Sequence, residues 1–546
     1  MKITLRKTVL PVTLSTLVLF AILEGIFRVF GSAPGADSFV EKIIMQEHLE
    51  HQKPNGEFRI FTYGESIMHG AQYGPTSSPA RWLEAYLEDF LPGKDIRVVN
   101  FARLGRGSNF TYHTFRDTLF YQPDMAIFYT GHNSFLPGER KDQIDFKDKN
   151  WVYLIRSSIL KSRFIAFVYK KCIRRQINIR AKRMEDRMGH EIIETSPRNS
   201  VKLTEPVLKT DPFYRENLAF FQQNIEKIIK LAEQHDVRLI FLEPVSNLKD
   251  FPPIKSAHFQ RLTPEELNAW NESFETGKKA EVENRLTEAL NNYKEAYIID
   301  NEYAELSYRM GQIYFRNGDF LKAHALFEEA RDNDTVIVRA TTDTIRILER
   351  LAGDPSDIGF LNTEKAIAPA VTGGILGEPI IEDNVHFSIK GHALVARAIA
   401  QEIADRNWIA PKERWQFERE ETDSKISEKL GVTNELLLTA YLKVADYYGD
   451  RFDARLQTIR KAMEIDPSDM RVLRALAWTY WLMGEEEKAF EVYRKIEEAN
   501  PQVLHEIFER QPELKNEYIS NPLKALKIRK RSALRNPATT APPPIL

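Results

Sequence analysis

Four short apolar runs, each rich in β-branched and aromatic residues, constrain the fold of this chain more than any other feature of its sequence. They occupy residues 58–63, 96–102, 125–130 and 238–244. Runs of this length and composition are typical of buried strands. A helical pattern of apolar residues fills residues 217–235, between the third run and the fourth. Strands that alternate with helices predict an α/β fold with a doubly wound, mostly parallel sheet.

The composition limits the classes of function. The chain has 546 residues, well beyond one ordinary domain, and 43% of them are hydrophobic, enough for more than one core. A net charge of -2 gives no reason to expect a nucleic-acid partner. Cys172 is the single cysteine, which excludes an intramolecular disulfide and a cysteine-based zinc site.

The N-terminal segment has the pattern of a membrane anchor. Lys2, Arg6 and Lys7 precede an uncharged apolar run at residues 9–23. We predict an uncleaved transmembrane helix within residues 1–31, with a cleaved signal peptide as the alternative. The basic residues ahead of the run predict that the N-terminus stays in the cytoplasm. The rest of this single-pass chain would then be exported to the periplasmic or extracytoplasmic side.

The second half of the chain contains a repeat of helical pattern. Small, aromatic and small residues recur at a period of 34: Ala289, Tyr293 and Ala296, then Ala323, Phe327 and Ala330. Pro467 and Pro501 keep the same period near the C-terminus. Small residues where helices touch, with aromatic residues filling the gaps between helix pairs, resemble the tetratricopeptide repeat.

The repeats divide the chain into predicted domains. We predict tetratricopeptide-like helices inserted at residues 266–334 and a second set at residues 411–510, with a protein or peptide partner bound to them. Each region holds about two repeats, fewer than a solenoid needs to stand alone. We therefore expect the inserted helices to lean on the α/β domain, predicted at residues 32–265 and 335–410, on the C-terminal repeats, or on both. The basic and proline-rich residues 511–546 predict a disordered tail.

Serine, glycine, asparagine and histidine appear in this order at loops that leave a strand or open a late helix. They are Ser66 in Tyr63-Gly64-Glu65-Ser66, then Gly105, then Asn133, and finally His386 in Asp383-Asn384-Val385-His386. The first block alone is also typical of a turn with a helix N-cap serine. Together the four blocks resemble the SGNH subset of the GDSL hydrolases. The resemblance covers the α/β part only, and it implies a flavodoxin-like, three-layer SGNH-hydrolase fold.

The resemblance implies a role for each of these residues. Ser66 would attack the acyl carbon of an ester, and His386 would act as the general base and then as the acid. Asp383 would hold the far nitrogen of the imidazole and fix its tautomer. The backbone amides of Ser66 and Gly105, with the side-chain amide of Asn133, would form the oxyanion hole.

The chain departs from the family pattern at two places. Glu65 stands where the first block usually has Asp, and Ser134 stands where the third block normally ends in Asp. The first change bears on loop geometry more than on chemistry. We predict that Glu65 and His132 support the site from behind the reacting groups. No cofactor is expected, and the spacing of the histidines predicts no metal site.

These residues predict an exported, membrane-anchored serine esterase. The related anchored members imply an acylated small molecule or glycan as substrate, with deacetylation of an envelope or extracellular polysaccharide as the reaction. One alternative is an O-acyltransferase that uses the same Ser-His-Asp site and passes the acyl group to a sugar hydroxyl. The other is a scaffold or assembly factor, in which the tetratricopeptide-like helices bind a partner and the hydrolase fold is vestigial.

Overall fold

The structure is a computed structural model, and it describes residues 38–50, 52–136, 206–259, 261–353, 357–419 and 423–503. The predicted anchor at residues 1–31 and the predicted tail at residues 511–546 lie outside these described residues. Within them, no helix is both long enough and apolar enough to cross a membrane.

The described elements alternate between strand and helix as far as Leu242, and after that residue they are helical except for one strand. The strands are β1 (Phe58–Gly64), β2 (Ile96–Asn100), β3 (Met125–Tyr129), β4 (Arg238–Leu242) and β5 (Ile358–Leu361). In chain order, the helices are α1 (Ser38–Gln46), α2 (Ser66–His69), α3 (Pro79–Phe90), α4 (Ser108–Thr118), α5 (Pro212–His235), α6 (Pro264–Val282), α7 (Leu286–Ile299), α8 (Ala304–Arg316), α9 (Phe320–Asp332), α10 (Thr342–Ala352), α11 (Thr363–Ile367), α12 (Ile389–Asp405), α13 (Asp423–Lys429), α14 (Asn434–Tyr448), α15 (Phe452–Ile465), α16 (Met470–Met483) and α17 (Glu486–Ala499).

The strands form one parallel sheet in the order β2-β1-β3-β4-β5. This is the order of the flavodoxin-like doubly wound sheets, so the predicted α/β class and parallel sheet are confirmed. The four predicted apolar runs are the first four strands. The fifth strand was not predicted, because Ile358–Leu361 is only four residues long and includes a glycine.

Helices cover both faces of the sheet. Along β3, Met125, Ile127 and Tyr129 face the core that contains residues of α3 and α12. Ala126 and Phe128 point to the opposite core, which contains residues of α4, α5 and α10. This period of two, with both faces buried, explains why the strands are continuous apolar runs instead of alternating ones.

Helix α5 shows how the sequence pattern produces this packing. Its buried residues include Phe221, Ile225, Ile228 and Ala232, which are spaced three or four apart and so share one helix face. Burying each of the larger side chains stabilises the fold by about 1.5–3 kcal/mol. The helix begins at Pro212 and not at residue 217 as the pattern predicted.

The helical repeats pack in pairs, and the 34-residue period has a structural cause. Gly277 on α6 lies against the ring of Tyr293 on α7, and a Cβ built on that glycine would be 2.5 Å from the ring. Gly311 on α8 has the same relation to Phe327 on α9, at 2.8 Å. Both inserted helix pairs therefore place a glycine opposite an aromatic ring, at the same spacing in the chain.

The inserted helices lean on the α/β domain, as expected for so short an array. Ala323 and Phe327 of α9 pack against Leu248 and Ile375 of the domain.

Residues beyond position 410, where the sequence pattern began the C-terminal repeats, still pack on the domain core through Trp415 and Ile426. Trp415 and Ile426 do not follow the period of the helical repeats. The sequence pattern alone therefore did not show that they pack in the core of the α/β domain.

Candidate active site

The turn after β1 is shaped by a close approach between two strands. Gly64 has φ +152°, and a Cβ there would lie 2.2 Å from the carbonyl oxygen of Tyr129 on β3. Only glycine leaves room for this contact. Ser66 follows as the first residue of α2, at the carboxyl edge of the sheet, where open α/β sheets bind their ligands.

The structure brings Ser66, His386 and Asp383 into one hydrogen-bonded line. The Nε2 atom of His386 is 2.7 Å from the Oγ atom of Ser66, and its Nδ1 atom is 2.7 Å from the Oδ2 atom of Asp383. The other carboxylate oxygen of Asp383 accepts the backbone N–H groups of Val385 and His386. This arrangement can move a proton from the serine hydroxyl to the imidazole.

Gln72 is a member of this group that the sequence did not reveal. Its Nε2 atom donates to the Oδ2 atom of Asp383 over 2.9 Å. With this bond the carboxylate accepts four donors, which hold it in one orientation. A glutamine six residues after Ser66 belongs to no catalytic motif, so only the folded loop could identify it.

Burial and the charge of the partner shift the pKa values of His386 and Asp383 in opposite directions. Burial alone would lower the pKa of His386, but the Asp383 carboxylate outweighs it and the pKa is raised above 6.5. Burial likewise would raise the pKa of Asp383, but His386 and the backbone N–H groups bring it below 3.8. Asp383 is therefore ionised and can stabilise an imidazolium at neutral pH.

Glu65 joins the loop of Ser66 to the loop of Asn133 from inside the protein. Its carboxylate accepts the Oγ1 hydroxyl of Thr130 and the backbone N–H groups of Gly131 and Asn133, over 2.8–3.1 Å. Burial raises the pKa of Glu65 to about 7, although these hydrogen bonds oppose the change. These contacts reach the loops and not the reacting groups, and the supporting role of Glu65 stays a prediction.

Asn133 is oriented by the loop that follows β2. Its Nδ2 atom donates to the carbonyl oxygen of Arg106 over 2.9 Å, which leaves the second amide hydrogen for another acceptor. Gly105, which directly precedes Arg106 in the chain, lies in an exposed turn with φ +63°. The role of Gly105 as an oxyanion donor stays a prediction.

His132 is buried beside Asn133 and held by the chain that leaves the inserted repeats. Its Nδ1 atom accepts the backbone N–H of Ala340 over 3.0 Å. Burial, together with the charge of His386, lowers the pKa of His132 to about 3. The ring is therefore neutral at pH 7, which suits a supporting residue and not a general base.

One group of described residues has the composition of a metal site. His324 and Glu328 on α9 and Glu364 on α11 have ligand atoms within 4.8 Å of one another. Hydrogen bonds from the His324 ring to Glu328 and Glu364 raise the pKa of His324 to about 10. As a cation at neutral pH, His324 forms ion pairs with both carboxylates, and this cluster joins α9 to α11.

Family models match both helical regions of the chain. One model, described as TPR repeat, matches residues 283–318, and another, described as tetratricopeptide repeat, matches residues 472–503. The chain contains tetratricopeptide repeats. The prediction made from the 34-residue period is thus confirmed in both regions. No curated protein matches the chain in sequence.

Three solved structures are similar to the chain. One is a GDSL-like lipase from Bacteroides thetaiotaomicron, with 11% identity and a TM-score of 0.28, covering 67% of this chain and 99% of that one. Another is a protein assigned as an acylhydrolase from Bacteroides fragilis, with 11% identity and a TM-score of 0.30, covering 68% of this chain and 99% of that one. The third is a protein assigned to the lipolytic G-D-S-L family from Desulfitobacterium hafniense, with 10% identity and a TM-score of 0.25, covering 63% of this chain and 98% of that one. The resemblance to GDSL hydrolases, first noted in the sequence motifs, is found again here.

Proposed function

We propose that the protein is a serine hydrolase of ester bonds, with Ser66 as nucleophile, His386 as general base and acid, and Asp383 as the residue that orients the imidazole. The observation that carries this proposal is the pair of 2.7 Å contacts that join the three side chains. Their order, nucleophile to base to carboxylate, is the one that activates a serine hydroxyl.

In the proposed reaction, His386 Nε2 takes the proton of Ser66 Oγ while that oxygen bonds to the acyl carbon. The tetrahedral intermediate then releases the alcohol, whose oxygen takes the proton back from His386. Water attacks the acyl-enzyme, gives a proton to His386 and frees the acid, and Ser66 regains its proton. The amides of Ser66, Gly105 and Asn133 would stabilise the oxyanion, and losing one such donor typically costs about 10²–10³ in kcat.

The proposed substrate is an acylated glycan, with a short acyl group such as acetyl. This choice is supported by the resemblance of the sequence motifs to anchored members of the SGNH hydrolases.

A serine-directed probe tests the proposed chemistry. A fluorophosphonate is expected to label the peptide that contains Ser66, located by mass spectrometry of a digest of the full-length chain. The same protein is expected to release p-nitrophenol from p-nitrophenyl acetate. A Ser66→Ala variant should lose both signals, whereas Ser468→Ala, at an exposed serine of the C-terminal repeats, should keep both.

Two other outcomes would replace this function. Labelling without turnover on water, followed by turnover when a sugar acceptor is added, would assign an O-acyltransferase that uses the same residues. Neither labelling nor turnover, with capture of a peptide partner by the repeats, would assign a scaffold.

We also propose that residues 1–31 anchor the chain in a membrane and that the catalytic domain is exported. The support is the basic and then apolar sequence of this segment, with Lys2, Arg6 and Lys7 ahead of residues 9–23. Alkaline phosphatase fused after Leu546 is expected to be active, since it folds only outside the cytoplasm. A silent fusion, with a cytoplasmic reporter active at the same position, would overturn the orientation.

A further inference from the structure

The C-terminal repeats touch the loop that carries Asp383 and His386. The hydroxyl of Tyr448, at the end of α14, donates to the backbone carbonyl of Glu382 over 2.6 Å. The neighbouring hydroxyl of Tyr447 donates to the Oδ1 atom of Asn384 over 3.1 Å. Glu382 and Asn384 flank Asp383 in the chain, so the two tyrosines hold the residues on either side of the proposed catalytic carboxylate.

Asn384 is also tied to the opposite side of the loop. Its Nδ2 atom donates to the carbonyl of Val338, in the segment that leaves the inserted repeats, over 3.2 Å. Its own backbone carbonyl accepts the N–H of Asn247, beyond β4, over 2.9 Å. Asn384 is 4% exposed, so these bonds replace water almost completely. The loop therefore lies between elements from both helical regions.

The contact with the C-terminal repeats has an apolar centre. Val444 and Tyr448 of α14 are buried in one cluster with Phe251, which lies in the segment after β4. The guanidinium of Arg451 lies 4.2 Å from the centre of the Phe251 ring. Burial of this kind fixes α14 against the domain, so the tyrosine hydroxyls are presented to the loop at a constant position.

Polar contacts extend the same interface along the chain that precedes the catalytic loop. Glu378 forms an ion pair with Lys461 of α15 over 3.0 Å and accepts a hydrogen bond from Gln457 over 2.8 Å. The C-terminal repeats thus contact residues 378–384 at several points, all just before His386.

We propose that Tyr447 and Tyr448 are positioning residues of the active site, and that the C-terminal repeats hold the Asp383–His386 loop in its reactive conformation. The inference rests on the proposed esterase function. Catalytic side chains need their geometry held to about 0.5 Å, and a loop gains this precision only from contacts around it. His386 lies 320 residues from Ser66 in the chain, so no local structure fixes their separation.

Single hydroxyl deletions in the full-length chain test the proposal. Tyr448→Phe and Tyr447→Phe each remove one hydrogen bond to the loop and keep the ring packed. The matched control is Tyr297→Phe, which removes a 2.8 Å hydrogen bond to Glu329 inside the inserted repeats, away from the loop. We would measure kcat and KM on p-nitrophenyl acetate, together with amide hydrogen exchange in a peptide spanning residues 379–388.

Each loop variant is expected to lose about fivefold to tenfold in kcat with KM unchanged, and to exchange about fivefold faster in that peptide, as expected from one lost hydrogen bond. Tyr297→Phe should match the wild type in both measurements. Equal exchange in the wild type and both loop variants would overturn the proposal, whatever the activity. If the wild-type protein shows no turnover, the esterase function fails, and the exchange measurement by itself still decides whether the tyrosines hold the loop.

Discussion

Replacing Asp383 with asparagine is expected to lower kcat/KM for an ester by about four orders of magnitude. The amide can keep a similar position, but it no longer balances the positive charge that His386 acquires as it takes the proton of Ser66. It can also hold the imidazole in the wrong tautomer, with the proton on Nε2 instead of Nδ1. Ester hydrolysis with p-nitrophenyl acetate measures the loss.

The same variant is expected to change the pH profile in a defined direction. Activity requires neutral His386, and the wild-type pKa of this group is raised above 6.5 because Asp383 outweighs the effect of burial. Wild-type kcat/KM should therefore increase as the pH rises through that raised value. Without the carboxylate, burial dominates, the pKa falls, and the acid limb of the residual activity should move to lower pH.

Asp405→Asn is the control, because Asp405 is exposed at the end of α12 and should leave both rate and profile unchanged. A rate for Asp383→Asn within tenfold of the wild type would contradict the role of Asp383.

Replacing Gly64 with alanine is expected to destabilise the α/β domain by about 3–5 kcal/mol. The new Cβ would lie 2.2 Å from the carbonyl oxygen of Tyr129, and backbone atoms of two paired strands cannot move apart without breaking their ladder. The φ of +152° adds backbone strain. Thermal unfolding should show a Tm lower by about 10 °C or more, and activity should fall because Ser66 is two residues away.

Gly93→Ala separates the two causes of this loss. Gly93 also has positive φ, at +83°, but a Cβ there meets nothing within 4 Å. It should cost only about 1–2 kcal/mol, from backbone conformation alone. Equal losses at the two positions would show that the contact with Tyr129 contributes nothing.

Much of the architecture could be predicted from local patterns. A strand buried on both faces is a continuous apolar run, and this is why four of the five strands were recognised while the short β5 was missed. A helix pair that packs an aromatic ring on a glycine repeats both residues at the same spacing. Because of that constraint, the 34-residue period is visible at Gly277 and Gly311 in the sequence alone.

The candidate site was predictable only in part. Ser66, Asn133 and His386 stand in short motifs, because a loop of restricted geometry must position each of these side chains. Gln72, Tyr447 and Tyr448 were not found, since they contact the loop of Asp383 through hydrogen bonds that any suitably placed donor could make. Such positions carry no fixed spacing from the residues they support.

The sequence by itself determined the parallel α/β sheet, the helical repeats and the identity of the candidate nucleophile, base and carboxylate. These features depend on periodicity and residue chemistry over short stretches, which are visible without a fold. Only the tertiary structure decided that residues 320 positions apart meet at 2.7 Å, and that the C-terminal repeats lie against the loop of Asp383. Contacts between distant segments depend on how whole elements pack, and no local pattern encodes that distance.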